Sequence, residues 1–230
     1  MTKITRLHQI EITSLCNLRC KYCWYPTMPR AKMDMTEDIF KAALGMVAHF
    51  VAKGKQTELN LAGIGESTIH PQFKEFVALA RERFPRIDLV IPTNGVNMTQ
   101  ELADHLAKYR VRVWVSLHRP EKGGIAIDML RKSGALAGVS TDSSTAAIDW
   151  GGKIKWHTSA PQMECMWQRD GRAIVWSDGR IGSCSMDGEG TDGVLGTVWD
   201  DPDTLYTKPY SLCTGCHQKI GGKQYAATTG

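Results

Sequence analysis

Several features of other protein classes are missing from this chain of 230 residues. No apolar run approaches the roughly 20 residues that a membrane-spanning helix needs. The N-terminal segment lacks the apolar core of a secretion signal, and no block of lysine and arginine indicates a nucleic-acid-binding tail. Basic residues exceed acidic ones only by 28 to 24. We therefore expect a cytoplasmic protein that does not engage a membrane.

Cysteine is absent between Cys23 and Cys165, so the seven cysteines fall into two separate groups. An odd number of cysteines in a chain without a secretion signal argues against a disulfide scaffold. It favours metal binding or catalysis in a reducing compartment.

The first group is Cys16, Cys20 and Cys23, in the sequence CNLRCKYC. Three thiolates on one short loop can hold three corners of a cubane iron–sulfur cluster and leave the fourth iron open to another ligand. A closed zinc site or a ferredoxin-type cluster needs a fourth thiolate nearby, and this segment has none. A zinc site completed by a distant histidine is the alternative.

The second group is Cys165, Cys184, Cys213 and Cys216, which ends in a CxxC spacing. This spacing is common to structural zinc ribbons and iron–sulfur sites. The open-cluster motif in the same chain favours a second 4Fe-4S cluster. Four thiolates would complete that cluster, so we expect it to serve electron transfer or structure.

Between the two groups, strand and helix signals alternate, which predicts a parallel α/β fold, a barrel or part of one. Function in such folds lies on the loops that follow the carboxyl ends of the strands. Beyond about residue 160 we expect a small appendage held by its cysteines. The predicted strands are 8–13, 58–61, 87–91 and 111–116, and the predicted helices begin after Thr36, at Gln72, after Thr99 and at Ala126.

The motif CNLRCKYC, followed by GIGE and TNG, resembles the radical S-adenosylmethionine (radical SAM) superfamily. The resemblance implies a truncated TIM-type barrel over residues 1–159. The cysteine-bearing tail, residues 160–230, is similar to the auxiliary-cluster (Twitch) domain of the SPASM/Twitch subgroup. The layout is most similar to the 2-deoxy-scyllo-inosamine dehydrogenases. The motif Asp149-Trp150-Gly151-Gly152 lacks the arginine that those enzymes often carry, so their substrate does not follow from the resemblance.

The resemblance also implies roles for individual residues. Cys16, Cys20 and Cys23 would bind the SAM-binding 4Fe-4S cluster, and the four later cysteines an auxiliary one. The residues implied to contact SAM are Tyr22 beside the adenine, Gly65 and Glu66 at the amino group, and Asn94 and Ser116 at the ribose and carboxylate.

The implied reaction is reductive cleavage of SAM to a 5′-deoxyadenosyl radical, which abstracts a substrate hydrogen. We expect a redox-neutral or two-electron oxidation of a small polar molecule, with the auxiliary cluster as electron relay and a flavodoxin or ferredoxin as reductant. Candidate general bases are His118, Lys153 and Lys155, with His157 as a further one.

Three alternatives stay open. The radical chemistry can act on a nucleic-acid base or nucleotide, for which Trp150, Trp156 and Trp167 offer stacking surfaces. It can act on a peptide by epimerisation or cross-linking, although we expect no leader-binding domain ahead of Cys16. A non-enzymatic iron–sulfur or zinc protein has no use for the GIGE loop.

Overall fold

A computed structural model of the protein describes residues 1–117, 120–140, 150, 163–216 and 218–219. The described strands are β1 Thr2–Lys3, β2 Arg6–Ile10, β3 Glu58–Leu61, β4 Asp88–Thr93, β5 Val111–Ser116, β6 Leu136–Ser140, β7 Met163–Glu164, β8 Arg172–Val175, β9 Arg180–Gly182, β10 Val194–Thr197, β11 Tyr206–Thr207 and β12 Gln218–Lys219. The described α-helices are α1 Glu37–Ala52, α2 Phe73–Arg83, α3 Gln100–Lys108, α4 Pro120–Ser133 and α5 Met166–Asp170.

Among these elements, eight strands form one sheet in the order β10-β9-β8-β2-β3-β4-β5-β6. Every pairing from β8 through β2 to β6 is parallel, and β9 and β10 add an antiparallel edge. Right-handed helical crossovers normally connect such parallel strands. The predicted α/β fold with a partial parallel barrel is confirmed.

Helices α1 and α3 begin where the sequence signals place them. The Thr36 side chain accepts a hydrogen bond from the Ile39 amide at the start of α1, and Thr99 does the same for Leu102 at the start of α3. These caps satisfy amides that have no partner inside the helix. None of the helices in the described part of the chain has the length and apolar character of a membrane span.

The two faces of the sheet differ. In β5, Val111, Val113 and Val115 are buried in the core beneath the helices, whereas Trp114 and Ser116 lie on the opposite, inner face. The core also contains a stacked pair between α1 and α2, Phe40 and Phe76, with ring centroids 4.1 Å apart. The outer face therefore stabilises the sheet, and the inner face is left for other contacts.

The first sheet strand and the fourth long helix differ from prediction. The first strand was expected over residues 8–13, but β2 ends at Ile10, because Thr13 pairs instead with Asp34 in an isolated bridge. Helix α4 begins at Pro120 rather than Ala126, since Gly123 and Gly124 obscure its first turn in the sequence. The sequence also indicates a short strand at residues 146–148, and this segment lies outside the described residues.

Candidate active site

A cavity opens at the carboxyl ends of the parallel strands. This end of a parallel α/β fold is where ligand pockets usually lie. Segments from the loops after β2, β3, β4 and β5 meet here, as parallel α/β topology requires. The residues that line it are Cys16, Leu18, Cys20, Tyr22, Cys23, Gly63, Ile64, Gly65, Glu66, Pro92, Thr93, Asn94, Ser116 and Trp150.

The loop that carries the first cysteines presents their sulfur atoms to this cavity. The Leu18 amide donates to the Cys16 Sγ at 3.5 Å, and the Tyr25 amide donates to the Cys23 Sγ at 3.4 Å. Such N–H···S contacts are characteristic of iron–sulfur sites, where they tune the potential of the cluster. Burial raises the pKa of the Cys23 thiol to about 11. Metal binding at this cysteine therefore releases a proton.

An apolar wall supports this cysteine loop. It consists of Trp24, Tyr25, Met28 and Ile64, against which Cys16, Cys23 and Trp150 pack. The Trp150 indole N–H donates to the Tyr22 carbonyl at 3.0 Å. This contact holds the indole beside the cysteine loop.

The glycine-rich loop after β3 packs closely against the segment that leads into Cys16. A Cβ atom on Gly65 would lie 2.5 Å from the Leu15 carbonyl oxygen and closer still to that of Thr13. Backbone atoms cannot yield to such an overlap, so only glycine fits here. The Glu66 amide donates to the same Leu15 carbonyl at 2.8 Å. The loop and the cysteine segment are thereby held as one surface.

Glu66 connects this loop to the loop after β4. Its carboxylate is 4% exposed and accepts from the Thr93 hydroxyl at 2.7 Å, the Asn94 amide at 2.7 Å and the Thr68 hydroxyl at 2.6 Å. The Asn94 side chain in turn donates to Asn17 of the cysteine loop at 2.7 Å. Three separate loops thus meet through one buried carboxylate and one amide.

The residues that the sequence places at a SAM site lie around this one cavity. They are Tyr22, Gly65, Glu66, Asn94 and Ser116, together with the three cysteines of the first group. Their individual contacts with SAM stay predictions. The candidate bases His118, Lys153, Lys155 and His157 lie outside the described residues.

The second cysteine group comes together beside the antiparallel edge of the sheet. Cys165 and Cys184 pack on the buried side chains Trp167, Ile174 and Trp176. Burial raises the pKa of the Cys184 thiol, and the charges of the other three cysteines of this group raise it further. The Met186 amide donates to the Cys184 Sγ at 3.4 Å. The other three cysteines of the group therefore lie within electrostatic reach of Cys184.

Within the described ranges, no three His, Cys, Asp or Glu side chains converge closely enough to hold one metal ion. The donor sets themselves, three thiols in the first group and four in the second, are ones that fit an iron–sulfur cluster.

The sequence analysis did not single out two buried residues beneath the site, Glu11 and Arg30, and it gave no role to Thr93 of the TNG motif. Arg30 forms a bidentate ion pair with Glu11, at 2.7 and 3.0 Å, and both side chains are buried. The available signal was Glu11 itself, a charged residue between the two isoleucines of HQIEIT. Its partner lies 19 positions away in a loop without periodic pattern, so the sequence did not indicate the pair.

The chain is similar to known proteins both in its sequence and in its fold. Residues 10–140, more than half of the chain, match the radical SAM superfamily. The fold is similar to the crystal structure of BtrN in complex with AdoMet and 2-DOIA, with a TM-score of 0.73 and 20% identity over 89% of this chain and 86% of that chain.

Curated relatives match over shorter segments. The chain is 35% identical over 102 residues to the tungsten-containing aldehyde ferredoxin oxidoreductase cofactor-modifying protein of Pyrococcus furiosus, which covers 44% of this chain and 27% of that protein. It is 34% identical over 95 residues to GTP 3′,8-cyclase of Chlorobaculum tepidum, which covers 41% of this chain and 27% of that enzyme. The chain thus spans less than a third of either relative.

The superfamily match includes both the cysteine loop and the strand-end loops that surround the cavity. Members of this superfamily are enzymes that use SAM and a 4Fe-4S cluster, and they need a reductant and a substrate. The three-cysteine loop, the glycine-rich loop and the partial parallel barrel all agree with that match, and the chain belongs to the radical SAM superfamily.

Proposed function

We propose that this protein oxidises a small polar molecule by two electrons and holds a second 4Fe-4S cluster that accepts one of them. The observation that carries the proposal is the presence of two separate cysteine groups in one fold. Three cysteines line the cavity, and four others gather at the antiparallel edge of the sheet. The number and placement of these thiols match one open cluster and one closed cluster.

The chain's own residues hold SAM and its cluster in this scheme. Cys16, Cys20 and Cys23 bind the cluster, and the loop of Gly65 and Glu66 receives the SAM amino group. Tyr22 lies beside the adenine, while Asn94 and Ser116 meet the ribose and carboxylate. When bound, SAM and the two clusters supply hydrogen abstraction from the substrate and an acceptor for the remaining electron. A base among His118, Lys153 and Lys155 takes the proton of the substrate hydroxyl or amino group.

The two cysteine groups approach each other through the segments that follow them. A Cβ atom on Gly188 would lie 2.8 Å from Cε3 of Trp24 and 3.1 Å from Cγ of Met28. Trp24 directly follows Cys23, and Gly188 lies four residues beyond Cys184. Van der Waals contact between these segments supports a second redox group near the first.

Anaerobic reconstitution with iron and sulfide tests the proposal. We expect about eight irons per chain and two distinguishable cluster signals by electron paramagnetic resonance (EPR). We also expect 5′-deoxyadenosine to form when dithionite or a reduced flavodoxin or ferredoxin is added. Cys184→Ala should lower the iron content to about four while SAM cleavage without substrate persists. Cys16→Ala is the matched variant, which should retain about four irons and lose cleavage.

Four irons in the wild-type protein would contradict the second cluster, and two zinc ions would contradict both. The substrate class is tested with deuterated alcohols and amines, since deuterium in recovered 5′-deoxyadenosine identifies the carbon that loses hydrogen.

A nucleotide substrate is the second candidate. Its support is the likeness to a GTP 3′,8-cyclase and the position of Trp150 at the cavity, where an indole can stack on a base. The same assay with deuterated GTP and adenosine decides between the two candidates, because only the true substrate class transfers deuterium.

A further inference from the structure

The carboxylate of Glu11 lies directly beneath the glycine-rich loop and is 1% exposed. Its Oε2 accepts the Ile64 amide at 2.9 Å, in addition to the Arg30 guanidinium. The Ile64 side chain packs in the apolar wall beside Cys16 and Cys23. Glu11 therefore fixes the backbone of a residue that contacts the cysteine loop.

Gly63 shows how closely the loop rests on this carboxylate. A Cβ atom at Gly63 would lie 2.5 Å from both Cβ and Oε2 of Glu11. The loop can adopt its path only because position 63 has no side chain. The conformation of the GIGE segment is thus determined by Glu11 from below and by the Thr13–Leu15 backbone from the side.

The ion pair between Glu11 and Arg30 is also contacted by the C-terminal half of the chain. The Ser177 amide and hydroxyl both approach the Glu11 Oε1 at 3.4 Å, and the Glu11 amide donates to the Val175 carbonyl at 2.8 Å. The Arg30 guanidinium lies 5.1 Å from the centroid of the buried Trp176 ring. The turn between β8 and β9 therefore closes the pocket that holds the pair.

Buried ion pairs contribute little net stability, because desolvation opposes their attraction, and their best-documented use is to specify one arrangement. Here both Glu11 carboxylate oxygens are engaged by donors from three parts of the chain. One donor is the SAM loop, one is the segment after the cysteine loop, and one is the C-terminal turn.

We infer that Glu11 and Arg30 are positioning residues for SAM, and that the turn at Trp176 and Ser177 is required for SAM binding independently of the cysteines beside it. The inference rests on the proposed SAM site at the cavity. Residues 175–177 act through Glu11 on Ile64 and hence on the loop at Gly65. The C-terminal half is then part of the SAM site as well as the holder of a second cluster.

The test compares SAM affinity among variants of the reconstituted protein by equilibrium dialysis, with the SAM-induced change in the cluster EPR signal as a second readout. The double variant Glu11→Leu/Arg30→Leu removes both charges together and so avoids an unpaired buried ion. We expect it to fold, but to bind SAM about tenfold more weakly, since the Ile64 amide loses its acceptor. Ser177→Ala removes the hydroxyl that approaches Glu11 and leaves the tryptophan beneath the second cysteine group in place, so it should weaken SAM binding in the same direction while the iron content stays at the wild-type value.

Gln56→Met is the matched control. Gln56 is buried and bonds the Leu7 backbone at 3.1 and 2.8 Å, near the amino end of β2 and away from the cavity. It should lower the melting temperature and leave SAM affinity unchanged. Equal loss of affinity in Gln56→Met and the double variant would overturn the inference, as would wild-type affinity in the double variant. Wild-type affinity in Ser177→Ala alone would overturn the role of the turn. Failure of the wild-type protein to bind SAM would instead refute the proposed function.

Discussion

Substitution of Glu66 tests whether its carboxylate binds SAM directly or holds the loops around the cavity. The carboxylate accepts from the Thr93 and Thr68 hydroxyls and from the Asn94 amide. Glu66→Leu leaves four donors without this acceptor: the buried Thr93 hydroxyl and Asn94 amide, and the half-buried hydroxyl and amide of Thr68. At about 1–3 kcal/mol for each unsatisfied donor, and with some relief from rotation of the hydroxyls, we expect a loss of about 3–6 kcal/mol in the free energy of unfolding.

Glu66→Gln should be far milder. The glutamine oxygen can accept the Asn94 amide, while its NH₂ group donates to the two threonine hydroxyls, which are able to accept as well as donate. What is lost is the charge assistance of these hydrogen bonds and the long contact of the Thr68 amide, at 3.3 Å, which an NH₂ group cannot accept. We expect a decrease of about 1 kcal/mol in the free energy of unfolding and nearly unchanged SAM affinity.

Urea unfolding and equilibrium dialysis with SAM, on anaerobically reconstituted protein, measure the two effects separately. If Glu66→Gln retains wild-type stability but binds SAM more than tenfold more weakly, the carboxylate binds SAM itself and the reasoning fails. If Gln and Leu are equally destabilising, the assignment of donors and acceptors is wrong.

Three further predictions concern individual positions. Gly65→Ala places a Cβ atom against the Thr13 carbonyl oxygen, so it should abolish SAM binding in dialysis; normal binding would contradict this. Burial lowers the pKa of His8 from 6.5 to about 4, so the folded state binds fewer protons than the unfolded state between these values. The free energy of unfolding should be highest above pH 6.5 and fall by at most about 3 kcal/mol as the pH drops to 4. For His8→Gln, urea unfolding should show a smaller decrease over the same pH range. Gly188→Val would displace the Trp24 ring, so a chelator should remove cluster iron faster than from wild type; an unchanged rate would show that the contact does not protect the cluster.

The helices and strands that depend on local sequence patterns agree with the prediction. The sequence predicts the bounds of β3 and β5 and the capping residues Thr36 and Thr99 as the structure has them. Alternation along a strand and a threonine before a helix depend only on neighbours in sequence. The position of the cavity was also predictable, because parallel topology brings strand-end loops to one edge.

The contacts inside the site were not predictable in the same way. The sequence indicates Glu66 as a SAM contact, which stays a prediction, but it does not indicate the hydrogen bonds of the Glu66 carboxylate to Thr93 and Asn94 at the end of β4. The Arg30 partner of Glu11 comes from an irregular segment. Such pairings depend on how loops fold over one another, and no periodic pattern records them.

The central place of β2 in the sheet has a consequence for how the protein is made. Residues 6–10 are synthesised early, yet one of their two neighbours is β8, residues 172–175. Until β8 leaves the ribosome, one edge of β2 has unpaired backbone amides and carbonyls, the kind of edge on which strands of other chains can pair. Closure of such a long loop is slow compared with local folding. We therefore expect this edge of the nascent chain to need protection, for example by a chaperone, until β8 has been synthesised.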